Sequence, residues 1–171
     1  IGRWRPRGFA LPVVLDAAQV AQAGRLFPME LDDIRRQHRL LAGSDPFAAV
    51  ETDDAAPRRE CAQEAFGKLL RLRAYYLEHA ARPTELAAMM VDSVKSFLTV
   101  LRHLLRLRGE PPPRGFDAAL AAGEALVGPL PAMRQALAER EALQSTGLAE
   151  QAAAYVTEVE RLVAAVTESC A

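Results

Sequence analysis

The stretch ECAQEAFGKLLRLR, Glu60 to Arg73, decides how this chain is read. Ala62, Ala65, Phe66, Leu69, Leu72 and, just beyond, Tyr76 recur at helical spacing, so the segment is an amphipathic helix. Glu60, Glu64, Lys68 and Arg71 step along a neighbouring face, a ladder of opposite charges that supports the same helix. Gly67 interrupts it. Glycine costs about 1 kcal/mol against alanine inside a helix. The expectation is that another backbone, or a ligand, approaches there too closely for a side chain.

Outward from this helix the pattern stays helical. The helix is expected from near Ala55 to about Ala81, where Pro83 breaks the periodicity. Leu86, Met90, Val94, Phe97, Leu101 and Leu104 then form a heptad-like stripe suited to a nearly antiparallel partner, ending at Gly109. EPPPRG is a stiff connector whose three prolines exclude helix. DAALAAGEALVG, PAMRQALAEREAL and LAEQAAAYVTEVERLVAAVTES supply three more helical segments. In the last, Ala152, Tyr155, Val156, Val159, Leu162, Val163 and Val166 face inward.

Toward the N-terminus, Asp16 is an N-cap for a helix through about Arg25. LFPMELDDIRRQHRLLAG gives another, with Leu31, Ile34, His38 and Leu41 on its apolar edge and Gly43 as its stop. ALPVVL, Ala10 to Leu15, reads as a short strand, with a second around Phe47 to Val50. The strand would pair with the ETDD region or with a sheet elsewhere. IGRWRPRGF, residues 1–9, is a basic linker or frayed end. The fold class is therefore all-α: an up-and-down bundle of five to seven helices over residues 10–171, with at most one or two short strands near the N-terminus.

Composition agrees. A chain of 171 residues, 50% hydrophobic and 25% charged, is an ordinary soluble globular domain. At this size it buries roughly 70% of its unfolded surface and needs no staple. The longest apolar runs, such as LAAMMV, cannot span a bilayer, and the opening lacks the apolar core of a signal peptide. Cys61 and Cys170 fit neither a metal spacing nor a disulfide framework, so a cytoplasmic protein with two reduced thiols is expected. Net charge is only −1, yet residues 58–109 hold ten Arg or Lys against five Asp or Glu. Residues 110–171 hold four against nine. The two halves either attract one another or leave a basic face for an anionic partner.

No complete catalytic constellation is visible. HxxxH, HExxH and CxxC spacings are absent, so neither a metal nor a cofactor is expected in this chain. Asp32–Asp33 and Asp53–Asp54 are adjacent pairs that do not converge on one ion, and helix starts explain them. One pattern could carry chemistry. Arg73, five intervening residues and His79 resemble the Arg-x(4–6)-His arrangement of HEPN-type ribonucleases. That resemblance implies metal-independent RNA cleavage by two facing subunits. Ala74 departs from the polar residue that usually follows the arginine.

Four phrases in order carry a broader resemblance: LFPMELDDIRRQHRLLAGSDPF, ECAQEAFGKLLRLRAYYLE, VDSVKSFLTVLRHLLRLRG and YVTEVERLVAAV. Together they resemble the helical C-terminal region of a bacterial group of nucleotidyltransferase-domain proteins, from about Leu11 to Val166. The resemblance implies a non-catalytic accessory or substrate-binding bundle. Its catalytic partner would lie upstream in cis, with a Gly-Ser turn and an Asp-x-Asp pair holding magnesium and a nucleoside triphosphate. Here Gly43-Ser44 is followed by Asp45-Pro46 instead, and the chain opens at Ile1 rather than Met, as a piece of a longer protein would. The residues expected to face the substrate are Glu30, Asp33, His38, Arg39, Glu64, Lys68 and Arg71; the bland alternative makes Glu30, Arg39, Glu64 and Lys68 interhelical ion pairs. Partners consistent with the reading are the upstream domain, a nucleotide or RNA, and a second copy of the chain. A plain dimerisation module is a third reading.

Overall fold

The computed structural model describes residues 13–48, 50, 55–138 and 147–171, apart from the side chains of Asp33, Arg36 and Gln37. Among these residues the chain is all-helical and no strand forms: α1 (Ala17–Leu26), α2 (Pro28–Gln37), α3 (Ala55–His79), α4 (Pro83–Leu107), α5 (Phe116–Val127), α6 (Pro131–Leu137) and α7 (Leu148–Cys170). They fall into two compact units, residues 1–53 and residues 54–171, where one body over 10–171 was expected.

The first unit is an α1–α2 hairpin. Asp16 and Gln19 close a reciprocal capping box at the start of α1, each side chain taking the other's main-chain N–H, at 2.8 and 2.9 Å. Gly24 lets the helices approach, since a Cβ there would stand 3.0 Å from the Leu31 side chain. Three sequence expectations need correction here. Val13 and Val14 are not in a strand and are more than four-fifths exposed, and among the described residues no neighbouring strand takes their main-chain groups. Ala10 to Pro12 and the ETDD segment lie outside the described residues. Residues 46–48 form a turn in which the Phe47 N–H donates to the Asp45 carboxylate.

The third correction concerns α2, which stops at Gln37 rather than running to Gly43. At His38 the backbone turns extended (ψ 156°), and its ring Nδ1 sits 2.8 Å from the Arg35 carbonyl. That ring N–H takes the acceptor that a further helical N–H would have used. Leu40 and Leu41 stay exposed, so no burial rewards a longer helix.

The second unit is built around α4. Leu86, Met90, Val94, Phe97, Leu101 and Leu104, the predicted stripe, are all at most 2% exposed, and Met89, Leu98, Val100 and Leu105 are buried beside them. A helix apolar over so much of its circumference must be surrounded. It is packed by α3, α5, α6 and α7. α3 contributes Cys61, Ala65, Leu69 and Leu72, and α7 all seven residues read as inward from its sequence. Phe66, assigned to the apolar edge, is instead half exposed.

Polar contacts fix the directions. Arg58, in the first turn of α3, donates to the carbonyls of Leu107 and Ser169, at the C-terminal ends of α4 and α7. Tyr75 near the other end of α3 donates to Glu85 at the start of α4. So α3 runs antiparallel to both, and α5 and α6 make the connection between α4 and α7. α4 ends in a Schellman closure, Glu110 N–H to Leu105 O and Gly109 N–H to Arg106 O, with Gly109 at φ 77° as the sequence predicts.

α7 fastens α5 and α6 through their ends. Glu158, the buried charged residue of the described core, accepts from the N–H groups of Ala132 and Met133 at 2.9 and 2.8 Å. These are orphan donors in the first turn of α6, where a carboxylate also meets the positive end of the helix dipole. One turn on, Arg161 donates to the carbonyls of Val127 and Pro129, where α5 ends.

Gly67 does not sit at a close helix approach. A Cβ there would meet only the Arg71 guanidinium, of its own helix, at 3.7 Å. The tight glycine of this unit is Gly123 in α5, whose Cβ would stand 3.0 Å from Leu101, 3.4 Å from Leu130 and 3.6 Å from Leu162. All three leucines are fully buried and cannot move aside cheaply.

Urea denaturation separates the two glycines. Gly67→Ala is expected to stabilise the chain by about 1 kcal/mol, the helix-propensity gain with nothing to oppose it. Gly123→Ala is expected to destabilise it by about 1–2 kcal/mol, since overpacking outweighs that gain. Glu158→Ala, which strands two buried N–H groups, should lose about 2–4 kcal/mol in the same measurement, while Glu158→Gln loses less.

Candidate functional site

Where the charged face of α3 meets α4, the seam opens into a cleft of about 360 Å³. α3 supplies Lys68, Arg71, Leu72 and Tyr75; α4 supplies Met89, Asp92, Ser93, Ser96 and Phe97. The spacing explains this. Lys68, Arg71 and Tyr75 succeed one another at three and four residues, and Asp92 and Ser96 at four, so each set shares one helix face. Leu72, Met89 and Phe97 are buried and make an apolar floor. The volume is that of a small-molecule site.

The polar rim divides into groups already engaged and groups that are not. Lys68 Nζ lies 2.9 Å from Glu64 Oε2, one turn back along α3. The Tyr75 hydroxyl donates to Glu85 Oε2 at 2.9 Å, and that bond raises the phenol's pKa, keeping it a donor. Ser93 Oγ donates to the Met89 carbonyl at 2.6 Å and receives the Tyr155 hydroxyl at 2.7 Å. Tyr155 is fully buried, and burial pushes its phenol above its ordinary value. Arg71 and Asp92 are exposed and make no hydrogen bond or ion pair with any of the described residues. The cleft therefore offers a cationic wall, a facing carboxylate, the Ser96 hydroxyl and an apolar base.

The residues expected from the sequence distribute unevenly. Lys68 and Arg71 line the cleft, with Glu64 behind them. The Glu64–Lys68 pair runs along one helix and does not bridge two. Glu30 lines a different, mainly apolar groove of about 500 Å³ in the α1–α2 unit, with Leu15, Leu26, Phe27 and Ile34. His38 is a fastening: Nδ1 faces the Arg35 carbonyl, Nε2 lies 3.4 Å from Asp45, and the ring meets Phe47 edge-on. Arg39 is exposed beyond the end of α2, and the Asp33 side chain lies outside the described residues. Sequence reasoning missed Asp92, Ser93 and Ser96. Their signal was a polar strip in an otherwise apolar helix.

Arg73 and His79 are both engaged. The Arg73 guanidinium pairs with Glu160 of α7 at 2.8–2.9 Å. His79 stacks on Tyr75 at 4.0 Å between centroids, with Nδ1 3.0 Å from the Tyr75 carbonyl. Among the described residues no three His, Cys, Asp or Glu side chains gather as a metal set. No helix among them is long and apolar enough to cross a membrane. No protein-family model, curated protein or solved structure matches the chain.

Burial of the Tyr155 phenol under the cleft makes stability depend on pH. The folded phenol's pKa is raised, so the folded chain keeps a proton that the unfolded chain releases near pH 10.0. The Tyr155 contribution to stability is whole below pH 10 and is lost as pH rises above it. Tyr155→Phe is expected to cost about 1 kcal/mol at neutral pH and to make the alkaline fall shallower, as urea denaturation on either side of pH 10 will measure.

Proposed function

We propose that this chain is a non-catalytic helical substrate-binding domain of a nucleotidyltransferase-type protein, and that the α3–α4 cleft receives the nucleotide-like substrate. The observation that carries the reading is Arg71, an arginine in the cleft wall with no ionic partner among the described residues, beside Lys68 and opposite Asp92. A guanidinium and an ammonium on one wall suit phosphate oxygens, the arginine through a two-pronged contact. Asp92 and Ser96 suit hydroxyl or amine donors on the same ligand, and Leu72, Met89 and Phe97 suit the flat apolar body of a base. The four resembling phrases support the same reading, because two of them supply α3 and α4, the walls of this cleft. The chemistry of transfer, with magnesium and a nucleoside triphosphate, would belong to the partner domain in cis.

Calorimetric titration of the chain with nucleoside mono- and triphosphates tests this directly. Saturable binding is expected, weakened about tenfold or more by Arg71→Ala, the range of one lost charge-assisted contact. Glu64→Gln, which frees Lys68, should tighten binding, and Arg39→Ala should leave it unchanged. Absence of saturable binding, or indifference to Arg71→Ala, would overturn the proposal. Metal-free RNA cleavage lost in Arg73→Ala would replace it with the ribonuclease reading.

A further inference from the structure

The first turns of α3 and the last turn of α7 meet. Arg58 donates to the Ser169 carbonyl at 3.2 Å, and Cys61 stands one turn after Arg58 while Cys170 follows Ser169. The two side chains, far apart in sequence, stand close enough at this junction to influence one another's ionisation. Both cysteines are free. Cys61 is wholly buried, its Sγ 3.8 Å from the Val100 carbonyl, whereas Cys170 is partly exposed. We propose that Cys61 and Cys170 form a dithiol site that a low-molecular-weight disulfide, such as glutathione disulfide, closes to an intrachain bond clamping α3 to α7.

The order of steps follows from the surroundings. Burial pushes the Cys61 thiol up to about 12; Cys170 is raised too, but Arg58 and the Cys61 thiol both pull it back down. Cys170 is thus the accessible sulfur and the easier one to ionise, and it attacks the small disulfide. One glutathione leaves as thiolate and takes the proton Cys170 gave up. Cys61 then loses its proton and attacks the Cys170 sulfur of the mixed disulfide, expelling the second glutathione, which leaves protonated. Two protein thiols and one small disulfide become one protein disulfide and two small thiols. The other charged groups near the pair are Glu60 and Glu64 on α3, which oppose ionisation of Cys61 and so keep it second.

The test uses the full chain, reduced, then treated with excess glutathione disulfide in mildly alkaline buffer. Intact-mass and peptide analysis should find two hydrogens lost and the Cys61 and Cys170 peptides joined. Because the bond closes a loop of roughly 100 residues, the melting temperature should rise by about 5 °C or more and return on reduction. Cys61→Ala should trap a stable glutathione adduct on Cys170. Cys170→Ala should form neither bond nor adduct, its remaining thiol being buried. A persistent mixed adduct in the unaltered chain, an adduct on Cys61 in Cys170→Ala, or disulfide-linked dimers would each overturn the proposal.

Discussion

The second unit depends on one constraint: α4 is apolar around most of its circumference and has to be enclosed. Val94, Phe97, Leu98, Leu101, Leu104 and Leu105 leave water on only a narrow side, and satisfying them calls up α3, α5, α6 and α7 as neighbours. The exception is the strip carrying Asp92, Ser93 and Ser96. Where this strip faces Lys68 and Arg71 of α3, the large apolar side chains Leu72, Met89 and Phe97 stay at the floor and the rim is polar. The cleft is thus a consequence of the packing, placed where core-building stops.

α7 completes the enclosure with charges, and it does so mostly without salt bridges to other side chains. Glu158 meets main-chain donors at the positive end of α6, and Arg161 main-chain acceptors at the negative end of α5. Arg58 of α3 does likewise for the C-terminal ends of α4 and α7. Such contacts satisfy groups that every helix end must satisfy somehow, so they fix position at little competing cost. They bear on the uneven charge of the chain as well. Arg73 and Glu160 do join the basic part to the acidic part, but Arg58 and Glu158 turn to backbone, and Lys68 and Arg71 turn to the cleft. Mutual attraction of the two halves absorbs only a share of the basic excess.

The long helices were legible because their information is periodic and local. The stripes of α4 and α7 name their own buried residues, and Gly109 and Asp16 mark ends through groups within a few positions. What failed was non-local. α2 ends where the His38 ring captures the Arg35 carbonyl, an event no apolar pattern announces. ALPVVL has strand composition, but a strand exists only through a partner ladder, and Val13 and Val14 have none among the described residues. Gly67 and Gly123 look alike in sequence, both inside alanine- and leucine-rich helices. Only the facing leucines distinguish them. The cleft was half legible: its cations stand in a charged ladder on α3, while its hydroxyls and carboxylate hide in a helix read for its core. Cys61 and Cys170 meet only because two helices of opposite direction bring their ends together.

Around the cleft, several groups that could take part in chemistry are held by neighbouring helices. A nucleophile needs a base, and a base needs its lone pair free. Ser93 gives its proton to a main-chain carbonyl and its lone pair to Tyr155. Tyr75 gives its proton to Glu85, and the ring of His79 lies flat against Tyr75 with Nδ1 at a carbonyl. Arg73 is held by Glu160. Each of these groups is thus engaged in holding helices together. Arg71 and Asp92, without a hydrogen-bond or ion-pair partner among the described residues, stand on opposite walls and suit a molecule bearing both an anion and a donor.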